Sequence, residues 1–355
     1  MQVCVSFIPG GLVLWLFAHH AMMDGTATAA FLDYFSRVTR NKENVGDKKA
    51  FNLDLDMPSV SVTPSNEAAR TLIRDCPEYL LLKSTGSAQP VGPTQPNFEP
   101  GGMQPSDIPK ATRTFLFRKV KLEELKRQIS NGAPDSTSKA PTAFTSLAAL
   151  LWAYTTKARV AAERGANEFA PASSAERPAR IFIPVNWEGR LRKWTEGYVG
   201  VTTGMFQVTL PISKVLAASR GREDFAALAL VDRKISHYID QINDEWVNKR
   251  TNMLAATPDP RELILDTDPR QPGDLSFNSW RRFGADTEWG IPGITSPKPD
   301  AIRRVQSGPN ISGGIVMPFR EESPVWELIL NLPPASMKLL CEDEDFMTWV
   351  DGVKG

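Results

Sequence analysis

Two of the chain's three histidines, His19 and His20, stand side by side in FAHHAMMDGTATAAF (residues 17–31), and Asp24 and Gly25 follow. Imidazole titrates near neutral pH; with a reference pKa near 6.5, about three-quarters of it is neutral at pH 7 and able to take a proton from a hydroxyl or amine. Such a base must be held in one tautomer and aimed. The end of a strand followed by a tight turn does this. Asp24, four residues after His20, either orients the ring or turns away and pins the turn through an arginine. A plainer reading stands beside it: a buried histidine satisfied by turn backbone, Asp24 as a helix cap, and Gly25 for backbone freedom. The third histidine, His237, lies off the apolar stripe of its own helix and reads as solvated.

The elements around this pair follow from hydrophobic period. QVCVSF (2–7) alternates as a strand, PGG (9–11) is a turn, and LVLWLFA (12–18) is a continuous apolar run that predicts a strand buried on both faces. Residues 26–39 predict a helix with Phe31, Leu32, Phe35 and Val38 on one face, capped by Asp24 or Thr26. Six prolines between 84 and 110 mark a linker or surface crossover. Beyond it, strands are predicted at 112–120, 180–185, 197–210, 275–281, 314–319 and 325–331. Helices are predicted over KLEELKRQIS (121–130), 142–160, 222–248 and 334–350, with a polar loop at 164–178. Strands alternate with helices, so the class is α/β in two layers.

Composition narrows the function. Forty-one basic and 41 acidic residues leave no net charge, which argues against nucleic acid or an anionic membrane as the main partner. Three scattered cysteines make neither a disulfide framework nor a zinc spacing and suit a reducing, cytoplasmic setting. The apolar N-terminus lacks the basic region and cleavage site of a signal peptide and is interrupted too early for a membrane span. Phosphate-loop, dinucleotide, nucleophile-elbow and metalloprotease motifs are all missing, so no metal or bound cofactor is expected.

The double histidine with Asp24-Gly25, after FIPGGLVL, resembles the BAHD acyltransferases, most of all the fungal branch that includes trichothecene acetyltransferases. A second motif is similar to the family's Asp-Phe-Gly-Trp-Gly: ADTEWGIP supplies Asp286, Trp289 and Gly290, with Thr287 and Glu288 in place of Phe and Gly. FNSW (Asn278, Ser279, Trp280) precedes it. A third, VNWEGRLR then YVGV, supplies Glu188, Arg190, Arg192, Tyr198 and Gly200, with Val201 where the family has Asn. The resemblance runs in order along nearly the whole chain.

It implies a two-domain CoA-dependent acyltransferase fold, chloramphenicol-acetyltransferase-like, with mixed sheets, flanking helices and a channel between the domains. The expected division is 1–83 for the remainder of a first domain incomplete at its N-terminus, 84–111 for the crossover loop and 112–286 for the second domain. Residues 287–310 are expected to cross back, and 311–355 to return to the second domain. It implies an acyltransferase (EC 2.3.1.-) that moves an acyl group from acyl-CoA, a co-substrate, to a hydroxyl or amine of a small secondary metabolite. His20 is then the general base and Asp24 the other member of the catalytic motif. Asn278, Ser279 and Trp280 are substrate or CoA contacts, with Ser279 and Asn278 as candidate oxyanion donors. His19 packs on the opposite strand face. Asp24 is expected to pair with Arg190 and Asp286 with Arg192, both as structure, like Trp289 and Gly290. A monomer is expected. Two alternatives remain: a condensation-type domain fed by a carrier protein, and an inactive truncated paralogue that binds without catalysing.

Overall fold

Local sequence signals start the elements, and packing decides where they stop. A computed structural model of the chain describes residues 1–40, 62–81, 108–133, 139–166, 177–191, 198–220, 225–304 and 312–355. Strands β1 (Gln2–Ile8) and β2 (Gly11–Phe17) form an antiparallel hairpin closed at Pro9-Gly10, with Val3 opposite Leu16 and Phe7 opposite Leu12. The hairpin is its own two-stranded sheet. Val5, Phe7, Ile8, Trp15 and Phe17 are exposed, so β2 is not the strand buried on both faces that its apolar run predicts. Such a run is buried only where neighbours cover it, and among the described residues β1 alone pairs with it.

Helix α1 (Gly25–Thr39) follows, with Phe31 stacked on Phe35 at 5.7 Å. After it, α2 (Asn66–Leu72), capped by Ser65, leads into β3 (Tyr79–Leu81).

The rest of the chain builds a larger unit. Strands β4 (Ala111–Arg118), β5 (Pro178–Asn186), β6 (Thr203–Pro211), β8 (Asp274–Ser279), β9 (Gly313–Val316), β10 (Val325–Leu332) and β11 (Gly352–Lys354) make one mixed sheet. Its order is β11-β4-β10-β9-β8-β5-β6; β8 runs parallel to β5 and β9, and the other pairings are antiparallel. Strand β7 (Leu263–Leu265) stands apart and pairs with β3.

Helices α3 (Lys119–Asn131), α4 (Ala143–Ala166), α5 (Ile212–Ala217), α6 (Phe225–Asp240), α7 (Asp244–Ala256), α8 (Pro334–Cys341) and α9 (Glu344–Met347) complete the chain. One core joins the sheet to α3, α4, α5, α6 and α8 around Trp152, Phe115, Phe206, Phe277 and Leu328. Trp152 Nε1 donates to the Gly273 carbonyl at 2.8 Å, so the largest of the fully buried side chains described is also polar-satisfied. Between α4 and α6, Ser146 donates to Asp232 at 3.2 Å, and burial pushes the Asp232 carboxyl up to about 6.

Two predicted helices are split. The 222–248 pattern breaks after Asp240, where the Asn243 side chain accepts from the Trp246 N–H (3.0 Å) and starts α7. Apolar residues that keep a 3.6 period across a capping residue conceal the break. The 334–350 pattern ends at Cys341; Asp343 caps α9, and β11 follows. His237 is exposed and bonded to Gln241, as its place off the stripe predicts. Residues 84–107, the body of the Pro-rich stretch, lie outside the described residues, as do 167–176 of the polar loop.

The stretch 62–81 docks on α7 and β7 by its own bond set. Glu78 and Arg250, both buried, form a bidentate pair (2.6 and 2.9 Å), and Arg250 lies 3.7 Å over the Trp246 ring. Desolvation nevertheless raises the Glu78 carboxyl above its ordinary range.

Candidate active site

The turn that carries both histidines begins where β2 ends. His19 and His20 are exposed. The Ala21 N–H donates to His19 Nδ1 (3.2 Å) and the Met22 N–H to the His19 carbonyl (2.9 Å). His19 therefore closes the turn and does not pack on a strand face. The strand has already stopped at Phe17, so strand alternation no longer sets its direction.

Asp24 behaves differently: it is 2% exposed. Its Oδ1 accepts from the Ala27 N–H (3.0 Å) and caps α1. Its Oδ2 accepts from the Thr202 N–H (2.9 Å), the Thr202 hydroxyl (3.3 Å) and the Thr203 hydroxyl (2.8 Å). Its own N–H donates to the Gly200 carbonyl (3.3 Å). The expected Asp24–Arg190 pair does not form. The carboxylate is already filled by backbone and hydroxyl donors, and the Arg190 guanidinium donates to the Ile239 carbonyl near the end of α6 (2.9 Å). Arg192 lies outside the described residues.

These contacts put the turn at one edge of the large sheet. Asn186, the last residue of β5, is opposite Thr203, the first of β6. The Asn186 amide donates to the Thr26 hydroxyl, just inside α1. In the parallel β5–β8 register Phe182 is level with Ser276, so Asn186 is level with Trp280 just past β8. The turn is thus latched where the parallel strands finish, the edge at which open α/β sheets present ligand sites.

A second contact reinforces this. A methyl group on Gly25 would fall inside the Phe283 ring, so only glycine lets the start of α1 lie against it. Phe283 in turn stacks on Trp280 at 5.9 Å.

Of the predicted contacts at that edge, Asn278 Oδ1 accepts from the Ser279 N–H (2.7 Å) and Ser279 Oγ from the Arg281 N–H (3.4 Å). Neither bond uses the Ser279 hydroxyl hydrogen or the Asn278 amide hydrogens, and among the described residues no other acceptor takes them. The Trp280 N–H donates to the Val316 carbonyl (2.8 Å) and continues the sheet.

The second motif faces α1. Asp286 accepts from Lys298 (2.9 Å) and from the Glu321 N–H (3.0 Å), and the Lys298 bond holds its carboxyl below the usual range. Trp289 meets Phe35 edge-on at 5.6 Å. A Cβ on Gly290 would meet the Arg40 Cα at 2.9 Å and Cγ at 2.6 Å, so this glycine permits close approach to the end of α1. Glu288, where the family has glycine, pairs with Arg40 at 3.5 Å.

Thr202, Thr203, Asn186 and Phe283 are the members of the site that sequence reasoning missed. Thr202 and Thr203 follow YVGV directly, and Asn186 opens NWEGR, so each lies within or just after a motif already singled out. An open groove of about 800 Å³, lined by Arg70, Ile73, Arg74 and Tyr79 among others, shares no lining residue with this site.

The model of the Transferase family matches residues 1–347. The chain belongs to the Transferase family. The resemblance to BAHD acyltransferases read from the motifs is thereby borne out. The chain is 24% identical over 349 residues to trichothecene 3-O-acetyltransferase TRI101 of Fusarium sporotrichioides, covering 96% of this chain and 66% of the relative. It is similar in fold to F. graminearum TRI101 solved with ethyl coenzyme A (TM-score 0.73, 19% identity, 98% of this chain and 68% of that one). It is also similar to vinorine synthase (TM-score 0.55, 16% identity, 98% and 65%). The chain therefore spans about two-thirds of the length of these relatives, and it has the CoA-dependent acyltransferase fold. No described helix is long and apolar enough to cross a membrane.

Proposed function

We propose that this chain carries the acyl-transfer centre of an acyl-CoA-dependent transferase that acylates a hydroxyl or amine of a small metabolite. The observation that carries this reading is the Asp24 latch. A buried carboxylate ties the His20 turn to the edge of the sheet where Asn278 and Ser279 end β8 and Trp280 follows. TRI101 of F. graminearum has been solved with coenzyme A and T-2 mycotoxin and with coenzyme A and deoxynivalenol, which supports a CoA thioester as donor and a polycyclic alcohol as acceptor class.

In this reading His20, exposed and free of hydrogen bonds among the described residues, accepts the proton of the acceptor O–H or N–H. The freed electron pair attacks the thioester carbonyl carbon. The tetrahedral oxyanion collapses, the C–S bond breaks, and the CoA thiolate takes the proton back from His20. The Ser279 hydroxyl and the Asn278 amide are the donors for the oxyanion. Asp24 takes no part in proton transfer; both its oxygens are committed to the cap and the latch. The contacts of Trp289 with Phe35 and of Gly290 with Arg40 support the expected crossing back of 287–310 toward the first domain.

Replacing His20 by Ala tests the assignment. Thiol release from acetyl-CoA in the presence of a panel of alcohols should fall by ~10²–10⁴-fold while the melting temperature stays put. Turnover that survives the change removes His20 as the base.

A further inference from the structure

Three consecutive residues at the start of β6 are held from three sides. On one face the Thr203 hydroxyl donates to Asp24 Oδ2 at 2.8 Å. Gly204 is turned to the other face, where a Cβ would fall 2.7 Å from Trp246 Cη2 and 2.9 Å from Trp187 Nε1. Met205 is held at the open side. Strand β6 is the last of the sheet, and the Met205 backbone is hydrogen-bonded to the Tyr79 hydroxyl. An edge strand leaves a row of backbone groups without a ladder partner, and Tyr79 engages one of them.

The contacts at Gly204 and Met205 come from one buried cluster. Tyr79 directly follows Glu78, whose carboxylate accepts the two-point bond from Arg250. The Arg250 guanidinium lies 3.7 Å over the Trp246 ring and donates to the Trp246 carbonyl at 3.3 Å. The Asp266 N–H donates to the Glu78 carbonyl (2.8 Å), which anchors the cluster just past β7. Burial, reinforced by the Glu78 charge, pushes the Tyr79 phenol up to about 12, so it keeps its hydrogen through neutral pH. The cluster thus bears on both residues that follow Thr203, and its route to the His20 turn runs through β6.

We propose that Tyr79 and the Glu78–Arg250 pair are positioning residues for acyl transfer: they set the start of β6 so that Thr203 meets Asp24 and the His20 turn keeps its aim. This rests on the acyl-transfer reading, and the test separates the two. Y79F removes one hydroxyl and keeps the ring. With acetyl-CoA and the best alcohol of the panel, kcat should fall about three- to tenfold, the size of one lost hydrogen bond, while KM for acetyl-CoA stays within about twofold. In a T203V background the bond to Asp24 is already gone, so Y79F should cost no further kcat. E78L/R250M replaces the buried pair by apolar side chains, a change that often spares stability, and should behave like Y79F.

F346L is the control. Phe346 packs on Phe115 of β4, at the opposite side of the sheet, so this change should lower the melting temperature and leave kcat unchanged. An unaltered kcat in Y79F, a loss confined to KM, equal losses with and without T203V, or the same kcat loss in F346L overturns the proposal. If E78L/R250M melts early, Y79F and its cycle decide alone. Failure of the acyl-transfer reading shows instead as absent turnover in the parent chain. Amide exchange then scores the cluster: Y79F should speed exchange at the Thr202 N–H, which donates to Asp24 Oδ2, and unaltered exchange overturns it.

Discussion

The hairpin–turn region at residues 1–40 and the seven-stranded unit that follows are held together in opposite ways. In the large unit Trp152, Phe115, Phe206, Phe277 and Leu328 meet in one core, which the Trp152 Nε1 bond to the Gly273 carbonyl ties together. In the first forty residues the buried side chains are Met23, Asp24, Ala27 and Ser36, while Phe7 is 83% exposed and Trp15 and Phe17 also face outward. The first region thus has almost no apolar interior among the described residues. What fixes its chemistry-bearing turn is polar and steric: Asp24 on Thr202 and Thr203, Asn186 on Thr26, and Gly25 against Phe283. A reactive turn built this way borrows its rigidity from the neighbouring sheet. Its loss of order costs a few hydrogen bonds and not a core.

Three substitutions probe that contrast. The largest effect is expected in the large unit: Trp152→Ala removes a fully buried ring and its bond to Gly273, and should cost about 3–5 kcal/mol in chemical denaturation. A loss below about 1 kcal/mol would mean that the two regions are less different than described. Thr203→Val comes next. It keeps the shape and removes a hydroxyl from the Asp24 carboxylate, so about 1–3 kcal/mol should be lost together with transfer rate, and Thr203→Ser should restore both. If stability falls but rate does not, the latch is structural only. The smallest effect is Phe7→Ser, where an exposed ring has little to lose. Stability should move by no more than about 0.5 kcal/mol, and a larger drop would reveal that the hairpin face is covered in solution.

Much of this was legible without coordinates. The period-two and apolar runs mark nearly every strand of the large sheet, because those strands feed one continuous core and their pattern is not interrupted. The HxxxD-type turn, the FNSW strand end and the Trp289-Gly290 segment were each visible as residues of the right type in the right order. The misses have specific causes. Asn243 and Asp343 break helices whose apolar rhythm continues, since a cap acts on backbone N–H groups and leaves no mark on periodicity. β2 carries the composition of a buried strand, yet composition records what a strand can bury and not what lies beside it.

The amino-acid sequence by itself determined the class of the fold, the order of the motifs, and the placing of His20 and Asp24 on either side of a short turn. Only the tertiary structure decided how Asp24 is held. Arg190 was an equally plausible partner from charge alone, but the β5–β6 register brings two threonines and a backbone N–H to the carboxylate first, and the guanidinium is drawn to the end of α6. Charge is written in the sequence, whereas the choice among donors depends on distances of a few ångströms between segments almost 180 residues apart.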